Sequence, residues 1–433
     1  MMKKLTILTI LAVLLVASFA ISPTYQPAAA RQSVTLRLWQ HQEGPFNEAT
    51  QALIAAYTAQ HPEVSIEVET FEYDLYLQTL QTSLPAGDEA DILELFGTWV
   101  CGYSDYLAPM PDDLAASFDA SQFYDAPLGG YQCDDQIYGL PQEFNVEYGA
   151  VLVNQAMFEE AGLAFPPAWE NWDALISDAQ QLVQENSDGQ MTVAGYHFTN
   201  ADAIVFSFLA GILQRGGDYW NEDRDGFQFD TEEGLASLEH LVNLVEEGVV
   251  DPVLFNDTSN WSGDAFFTSQ TAIALIGPWA VAYGLDSFPD FGAFDYVALP
   301  AAGDEPIFAA DSGWGMTVSE RSDHQDVAWD FINFAAANAD NALQWNITTG
   351  TIPALRALVE DEMYRTPLLE ASPWLAGVLD ELQYGRYVGE MPDRDLLFYD
   401  IIYPYVLDTL QGLMSAEDAV ALMEEDANLM FEE

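Results

Sequence analysis

The chain has 433 residues, of which 50% are hydrophobic, and this is enough for a large core and for two or three domains or lobes. Its 70 acidic residues outnumber 11 basic ones and give a formal net charge of −59. A surface this acidic repels nucleic acid and anionic lipid, and it disfavours a phosphorylated or carboxylate ligand unless an arginine lies nearby. Because the acidic residues are spread along the chain, they indicate a solvated surface.

Residues 1–30 are typical of an export signal. Lys3 and Lys4 precede an apolar run from Leu5 to Ala20, and small residues at 28–30 fit a cleavage site. An uncleaved membrane anchor is the alternative. Cleavage would leave nine arginines against 70 acidic residues, a formal charge of −61. We therefore expect an exported protein, periplasmic or extracellular and soluble, with no lipoprotein cysteine after the apolar run.

The start of the mature chain has the pattern of a β-α-β unit. Val34–Trp39 alternates like a strand, Phe46–Gln60 has helical spacing, and Val64–Glu69 alternates again. Such a unit implies a parallel sheet with a right-handed crossover. A further helix at Tyr76–Leu84 and a strand at Ala90–Leu95 extend the same pattern.

Strands and helices continue to alternate through the middle of the chain, and the last third is rich in helices. The predicted elements are a strand or hairpin at Cys133–Leu140, a strand at Gly149–Asn154, helices at Trp172–Glu185, Leu235–Glu247 and Asp326–Ala337, and a final helix capped by Ser415. Since no Gly/Ser-rich linker divides the chain, we expect two lobes that share crossing segments.

Cys101 and Cys133 are the only cysteines, and both lie in loop-like sequence. Export makes a disulfide between them the favoured interpretation, and it would stabilise the fold by ~3–4 kcal/mol. Two free thiols are the alternative. Two cysteines and five scattered histidines do not supply a metal site.

The segment from Asn221 to Glu232 approximates the spacing of a calcium-binding loop, with Asp223, Asp225 and Gly226 between them. Its first position is Asn, however, and the Asp-Gly pair is typical of a hairpin turn. We favour the hairpin and predict neither a metal nor a cofactor.

A series of short segments, which covers nearly the whole chain from residue 34 onwards, points to a known family. The segments are VTLRLWQHQE (34–43), HPEVSIEVE (61–69), LPAGDEADILEL (84–95), IYGLPQEFNVEYGAVLVNQAMFEEAGL (137–163), PPAWENWDALISDAQQL (166–182), FFTSQTAIALIGPWA (266–280), SGWGMTVSERSDHQDVAWDFINFAA (312–336) and TGTIPALRAL (349–358). In this order they resemble the family 1 extracellular solute-binding proteins of ABC importers, the sugar binders related to maltose-binding protein. Ala168 stands where the family usually has threonine.

The resemblance implies an α/β protein with the type II periplasmic-binding-protein fold, in which two α/β lobes are joined by a hinge and a ligand cleft lies between them. We expect the first lobe at 31–143 plus 299–336, and the second at 144–298 plus 337–433. The implied function is capture of a mono- or oligosaccharide and its delivery to the permease of an ABC importer. Such a protein is not an enzyme, and we expect a monomer that binds no nucleic acid.

The turn GPWAVAYG at 277–284 follows an apolar run, and its Trp279 is the residue for which we make the most specific ligand-binding hypothesis. Gly277 lets the backbone turn and Pro278 fits a first helical position, so Trp279 would project from a helix N-terminus into the cleft. A pyranose has a flat apolar face, and an indole against it removes apolar area from water at ~25 cal/mol per Å². A tryptophan buried in a helix core is the alternative.

Other candidates follow from the hydroxyl groups of a sugar, which need carboxylates and amides around apolar surfaces. They come from the ends of the first and third strands, the presumed hinge, and later loops that match the family. The complete set is Gln40, His41, Glu43, Glu94, Thr98, Trp99, Glu143, Asn145, Tyr196, His197, Trp279, Trp314, Gly350, Thr351 and Arg394. Ordinary loop polarity, core packing of Trp314 and an ion pair of Arg394 remain the alternatives for these residues.

Two further functions stay open at this point. An exported glycoside hydrolase needs only two suitably spaced carboxylates, which 70 acidic residues supply by chance. A binder of a polyol or glycerol phosphate is the other possibility, although the acidity of the chain disfavours a phosphate.

Overall fold

The computed structural model describes residues 33–41, 44–254 and 263–431. The predicted export signal and the candidate Glu43 lie outside these residues. Within them, no helix combines the length and the apolar character that crossing a bilayer requires.

Strands and helices alternate along most of the chain, as the sequence predicts. The strands are β1 (Val34–Gln40), β2 (Val64–Thr70), β3 (Ile92–Phe96), β4 (Gln132–Cys133), β5 (Gln136–Ile137), β6 (Gly139–Pro141), β7 (Ala150–Asn154), β8 (Gln184–Glu185), β9 (Met191–His197), β10 (Thr271–Ala274), β11 (Phe294–Ala298), β12 (Phe308–Ala310), β13 (Trp314–Val318) and β14 (Gly385–Tyr387). The α-helices are α1 (Pro45–Gln60), α2 (Tyr73–Ala86), α3 (Gly97–Val100), α4 (Asp112–Ala115), α5 (Asp125–Gly129), α6 (Gln155–Ala161), α7 (Trp172–Leu182), α8 (Ala201–Gln214), α9 (Glu232–Glu246), α10 (Asp264–Phe267), α11 (Trp279–Ser287), α12 (Gln325–Ala336), α13 (Ala339–Thr349), α14 (Ala357–Glu360), α15 (Glu362–Ala371), α16 (Tyr403–Leu410) and α17 (Ala416–Asn428). Turns of 3₁₀ helix lie at Cys101–Tyr106, Ala120–Gln122, Pro373–Ala376, Leu382–Tyr384 and Leu429–Phe431, and a π-helix spans Leu396–Ile402.

The first sheet has the strand order β2-β1-β3-β13-β6. β1 pairs in parallel with β2 and with β3, which confirms the predicted β-α-β unit. β13 runs antiparallel to β3, with Trp314 opposite Phe96. The start of β13 therefore lies at the same edge of the sheet as the carboxyl ends of β1 and β3.

The second sheet has the order β11-β7-β10-β9-β8. Its edge strand β8 corrects the prediction that the helix from Trp172 continues to Glu185. The helix ends at Leu182 because Val183 is extended, with φ −63° and ψ 136°, and Gln184 then pairs with β9.

The chain crosses between the two sheets at residues 142–149 and 299–313. A hydrogen bond joins the two crossings, since the Asn145 N–H donates to the Ser312 carbonyl at 2.8 Å. The Phe144 N–H donates at 2.8 Å to the Ile352 carbonyl, in the segment after α13. Gly313 has a φ of +146°, and a Cβ there would lie 2.6 Å from the Glu143 carbonyl oxygen. The crossings can therefore approach this closely only with glycine at this position.

The cores follow the two sheets. One cluster of buried residues fills the second sheet and its helices, and two others surround the first sheet. The predicted boundaries give α13 to the second lobe, whereas its Trp345 packs 5.8 Å from Phe46 of α1, beside the first sheet. The division into lobes otherwise stays a prediction.

Candidate functional site

Aromatic side chains cluster at the edge of the first sheet where β1 and β3 end and β13 begins. We call His41, Tyr73, Phe96, Trp99 and Trp314 the aromatic wall. The His41 ring stacks on Trp314 with ring centres 3.8 Å apart, and Trp99 meets Trp314 edge to face at 5.2 Å. Tyr73 is 42% exposed, so the wall retains apolar surface that a ligand can cover.

Strand geometry brings the aromatic wall together. His41 directly follows β1, Phe96 ends β3, and Trp314 opens β13 opposite Phe96. The carboxyl ends of parallel strands meet at one edge of a sheet, where α/β proteins hold their ligands. Glu94 then fixes the histidine, since its Oε2 accepts from the His41 backbone N–H at 3.1 Å and lies 3.2 Å from His41 Nδ1.

A network of charged side chains, contributed by α8, the crossing at 299–313 and the segment after β14, lies beside the aromatic wall. We call Arg394, Asp202, Asp311, Asp395 and Tyr399 the charged wall. Arg394 Nη2 donates to Asp311 Oδ2 at 2.6 Å and to Asp202 Oδ1 at 2.9 Å. Its Nη1 donates to the Tyr399 hydroxyl at 2.6 Å and to Asp395 Oδ1 at 3.1 Å.

The two walls are close neighbours. The guanidinium carbon of Arg394 lies 6.0 Å from the centre of the Phe96 ring and 4.3 Å from that of Phe398. Asp311 is fully buried, and burial raises its pKa to about 6 although Arg394 opposes the shift. The ion pair with Arg394 thus keeps a carboxylate charged where burial disfavours the charge.

Glu147 holds the glycine–proline–tryptophan corner. Its Oε1 accepts from Trp279 Nε1 at 2.6 Å, and its Oε2 accepts from the Gly277 N–H at 3.0 Å. The indole folds back over Gly277, where a Cβ would lie 2.4 Å from the indole nitrogen. Trp279 is half-buried, and it is therefore neither enclosed in the core nor free in solvent.

The crossing at 142–149 carries a row of buried polar side chains. Glu143 Oε1 accepts from the Trp314 N–H at 3.2 Å, and Asn145 Nδ2 donates to Asp311 at 3.4 Å. Burial raises the pKa of Glu143 to about 8, and burial followed by the charges of Asp202 and Asp311 raises the pKa of Glu147 to about 8. Both groups therefore favour the neutral carboxyl form near pH 7.

The structure brings together many, but not all, of the predicted site residues. Those in the two walls, the crossing or the corner are His41, Glu94, Trp99, Glu143, Asn145, Trp279, Trp314 and Arg394. Thr98 is half-buried beside Trp99, and its hydroxyl has no hydrogen-bond partner among the described residues. Ligand contact by any of these residues stays a prediction.

The remaining described candidates have contacts outside the two walls. Gln40 is 2% exposed and donates to Asn47 and Thr70. Tyr196, at 1% exposure, packs between Trp172 and Phe198. His197 Nδ1 lies 3.2 Å from Thr199 Oγ1, and burial lowers the pKa of His197 to about 3. Gly350 follows the last residue of α13 with a φ of 71°. Thr351 hydrogen-bonds with Asn346 and Thr349.

Sequence reasoning missed several members of the site. Glu147 could have been found, because it lies two residues after Asn145 in the same crossing motif. Tyr73, Asp202, Asp311, Asp395 and Tyr399 carry no motif of their own, and their roles follow from contacts between distant segments.

The predicted disulfide is confirmed. Cys101 and Cys133 are bonded, with Cα atoms 5.5 Å apart, and the bond ties the loop after β3 to the β4–β5 hairpin. In the segment that approximates a calcium loop, Asn221 bonds Asp225, and Trp220 forms an antiparallel bridge with Phe227. Over the described ranges, no group of three His, Cys, Asp or Glu side chains is arranged to hold a metal.

Comparison with known proteins assigns the class of protein. The family model for bacterial extracellular solute-binding proteins matches residues 43–342, and the chain belongs to this family. It is similar to the arabinooligosaccharide-binding protein of Halalkalibacterium halodurans, with 24% identity over 66% of this chain and 63% of the relative. It is also similar to the maltotriose-binding protein of Pyrococcus abyssi, with 21% identity over 82% of this chain and 73% of the relative.

The solved structures give the same fold. The cyclic alpha-maltosyl-1,6-maltose binding protein of Arthrobacter globiformis superposes with a TM-score of 0.76 at 22% identity, covering 92% of this chain and 99% of that one. The predicted type II periplasmic-binding-protein fold, with two sheet-containing lobes, is thereby confirmed.

Proposed function

We propose that this protein captures a carbohydrate between its lobes and delivers it to the permease of an ABC importer, outside the cytoplasm and without chemical conversion. The observation that carries the proposal is the arrangement of the two walls. Apolar rings lie on one side, and a guanidinium, carboxylates and a hydroxyl lie on the other, with Arg394 Cζ 6.0 Å from the centre of the Phe96 ring. Sugars present flat apolar faces edged by hydroxyls, and this pairing of surfaces matches both features.

Charge supports a neutral ligand over a phosphate. Arg394 bonds Asp202, Asp311 and Asp395, so its positive charge is more than offset within the charged wall. An anion would meet net negative charge there. The names of the two oligosaccharide-binding relatives agree with a sugar.

Hinge bending supplies the mechanism in this proposal. A ligand held by both walls stabilises the closed arrangement, because only that arrangement lets rings and polar groups contact the ligand together. The permease would then distinguish the closed, loaded form from the open one.

The test is calorimetric titration of the mature protein with mono- and oligosaccharides, together with chromatography of the mixture. We expect binding with unchanged sugar, and loss of at least tenfold in affinity in Trp279→Ala. Trp169→Ala is the matched control, because Trp169 is also half-buried and donates to a carboxylate, Asp178, at 2.9 Å, but packs against Phe158 of α6. Hydrolysed sugar, or equal effects of the two variants, would contradict the proposal.

A further inference from the structure

The charged wall holds more negative charge than its arginine neutralises. Arg394 forms ion pairs with Asp311 at 2.6 Å and with Asp202 at 2.9 Å. A third pair joins Arg394 to Asp395 at 3.1 Å. Three carboxylates and one guanidinium have a formal charge of −3 + 1 = −2. Within the described ranges no other basic side chain pairs with these aspartates, so the excess remains uncompensated.

This excess differs from the acidity of the protein surface. The Asp311 side chain is 0% exposed and that of Arg394 is 7% exposed. In the surface pairs of Arg356 with Asp125 and of Arg365 with Asp380, by contrast, the carboxylates are 94% and 75% exposed. Solvent and salt screen buried charges much less than exposed ones. The excess charge of the charged wall therefore acts on a ligand that binds beside it.

The crossing at 142–149 adds a further carboxyl group to the same region. Asn145 Nδ2 donates to Asp311 at 3.4 Å, and the Asn145 side chain also contacts the Glu147 carboxyl. Burial raises the pKa of Glu147 to about 8, and the charges of Asp202 and Asp311 contribute to that rise. Since like charges repel one another here, a bound cation would relieve an unfavourable interaction.

One buried hydrogen-bond acceptor in this region has no donor among the described residues. Asn145 is 6% exposed, and its Oδ1 has no hydrogen-bond partner although its Nδ2 donates to Asp311. Arg394 Nε also has no hydrogen-bond partner, but its guanidinium carbon lies over the Phe398 ring, 4.3 Å from the ring centre. A buried acceptor without a donor is unfavourable, so the amide oxygen indicates a ligand group that donates. An ammonium group has three donors and no acceptor.

The charged wall can be reached from the side of the aromatic wall. The Asp202 and Asp395 side chains are 28% and 40% exposed, and Tyr73 of the aromatic wall is 42% exposed. Burial raises the pKa of the Tyr73 hydroxyl and the charge of Asp395 raises it further, which places this ring close to the charged wall. Aromatic faces attract cations. Both walls therefore favour a ligand with a positive charge.

We propose that the ligand is a positively charged saccharide, an amino sugar or an oligosaccharide of amino sugars, whose ammonium group is held by the charged wall. The proposal rests on the carbohydrate-binding function proposed above and narrows its ligand class. The negative charge that disfavours a phosphate also favours a cation. A neutral sugar can bond the same oxygens, but it leaves the excess charge unopposed.

Asp202 allows one negative charge to be removed with little change in shape. Asp202→Asn keeps an oxygen that can accept from Arg394 and from the Tyr399 hydroxyl, and it loses the charge. Asp173→Asn is the matched control, because Asp173 and Asp202 are each the second residue of a helix capped by asparagine, but Asp173 is exposed on α7. Asp395→Asn is a second variant in the charged wall, with its side chain 40% exposed.

The experiment is calorimetric titration of wild type and the three variants at about pH 6, below the usual pKa of an amine. The probes are glucosamine, galactosamine, mannosamine and the β-1,4-linked dimer and tetramer of glucosamine, each with its hydroxyl parent and its N-acetyl derivative. We expect at least one amino form to bind wild type at least tenfold more tightly than both of its neutral counterparts. Asp202→Asn should lose at least threefold of this preference, Asp395→Asn should reduce it, and Asp173→Asn should keep it.

The possible results separate this inference from the proposed function. If neutral sugars bind as tightly as their amino forms, or more tightly, the positive charge is refuted while carbohydrate binding stands. An equal preference in wild type and both charged-wall variants would show that the overall acidity of the protein attracts the amine, and it would also refute the inference. Thermal denaturation verifies that each variant is folded, and Asp395→Asn decides the matter if Asp202→Asn does not fold. If wild type binds no saccharide, the proposed function fails, and the inference fails with it.

Discussion

The aromatic wall and the charged wall differ in how exposed their side chains are and in how many partners those side chains already have. Rings of the aromatic wall touch one another, with His41 stacked on Trp314 and Trp99 edge to face with it, and Tyr73 remains 42% exposed. In the charged wall, by contrast, Arg394 is 7% exposed and is already bonded to Asp202, Asp311 and Asp395. A ligand can therefore gain apolar contact on one side without first desolvating a free ion on the other.

The walls also differ in origin. Most of the aromatic wall comes from the ends of neighbouring strands in one sheet, whereas the charged wall joins α8, a crossing segment and the C-terminal region. Asp202 and Arg394 are 192 residues apart in the chain. The aromatic wall thus depends on one lobe, and the charged wall depends on how distant segments assemble.

Arg394→Met should have the largest effect on stability. The change leaves Asp311 buried without its positive partner, and removal of one member of a buried pair costs about 3–5 kcal/mol. Urea denaturation monitored by circular dichroism measures this loss in the free energy of unfolding.

Arg365→Met is the control for that measurement. Arg365 pairs with Asp380 at 3.2 Å, but the Asp380 side chain is 75% exposed, and an exposed pair contributes about 0–1 kcal/mol. Equal losses in the two variants would show that the charged wall is no more than a surface ion pair.

Removal of the disulfide tests the loop that follows Trp99 of the aromatic wall in the chain. Cys101→Ser together with Cys133→Ser opens a loop with a sequence separation of 32, which should lower the free energy of unfolding by about 3–4 kcal/mol. Thermal denaturation of the double variant, compared with wild type before and after a reducing agent, measures the change. If the reducing agent leaves the stability of wild type unchanged while the double variant is less stable, the loss of stability is caused by the serine side chains and not by the missing disulfide.

The sequence was sufficient to predict the parts of the site that depend on local order. Trp99 follows a strand that the sequence predicts, and its place at the carboxyl-end edge follows from the predicted parallel sheet. Trp314 meets it there because it opens β13, which runs antiparallel to β3 and was not predicted as a strand. The same reasoning failed to place Tyr196, because a residue near the end of a strand can point to either face. Its ring packs against Trp172 and Phe198 inside the lobe.

The charged wall lay mostly beyond sequence reasoning. Arg394 was a candidate in a late loop, with an ion pair as the alternative, but nothing in the sequence pairs it with Asp202 or Asp311 among 70 acidic residues. Such partners depend on the way the crossings and the C-terminal segment pack together. The sequence alone does not show which carboxylates this packing brings within hydrogen-bond distance of Arg394.

A pH dependence of stability shows which acidic groups beside the charged wall are charged. Glu143 and Glu147 have pKa values of about 8 in the folded protein, above the ordinary value of 4.5, because both are buried. Between about pH 4.5 and 8 the folded chain retains protons that the unfolded chain has released. The free energy of unfolding should therefore fall as pH rises through this window, by at most about 1.4 kcal/mol per pH unit for each carboxyl.

Glu143→Gln isolates this contribution from the general repulsion among acidic residues, which also weakens the fold as pH rises. Glu143 accepts a hydrogen bond from the Trp314 N–H, and the amide oxygen of glutamine can accept the same bond. We expect urea denaturation at pH 5, 6, 7 and 8 to give a shallower slope for this variant than for wild type. Glu159→Gln, on the exposed surface of α6, should keep the wild-type slope. Identical slopes for all three proteins would mean that Glu143 is ionised in the folded state, and the crossing would then add a negative charge to the charged wall.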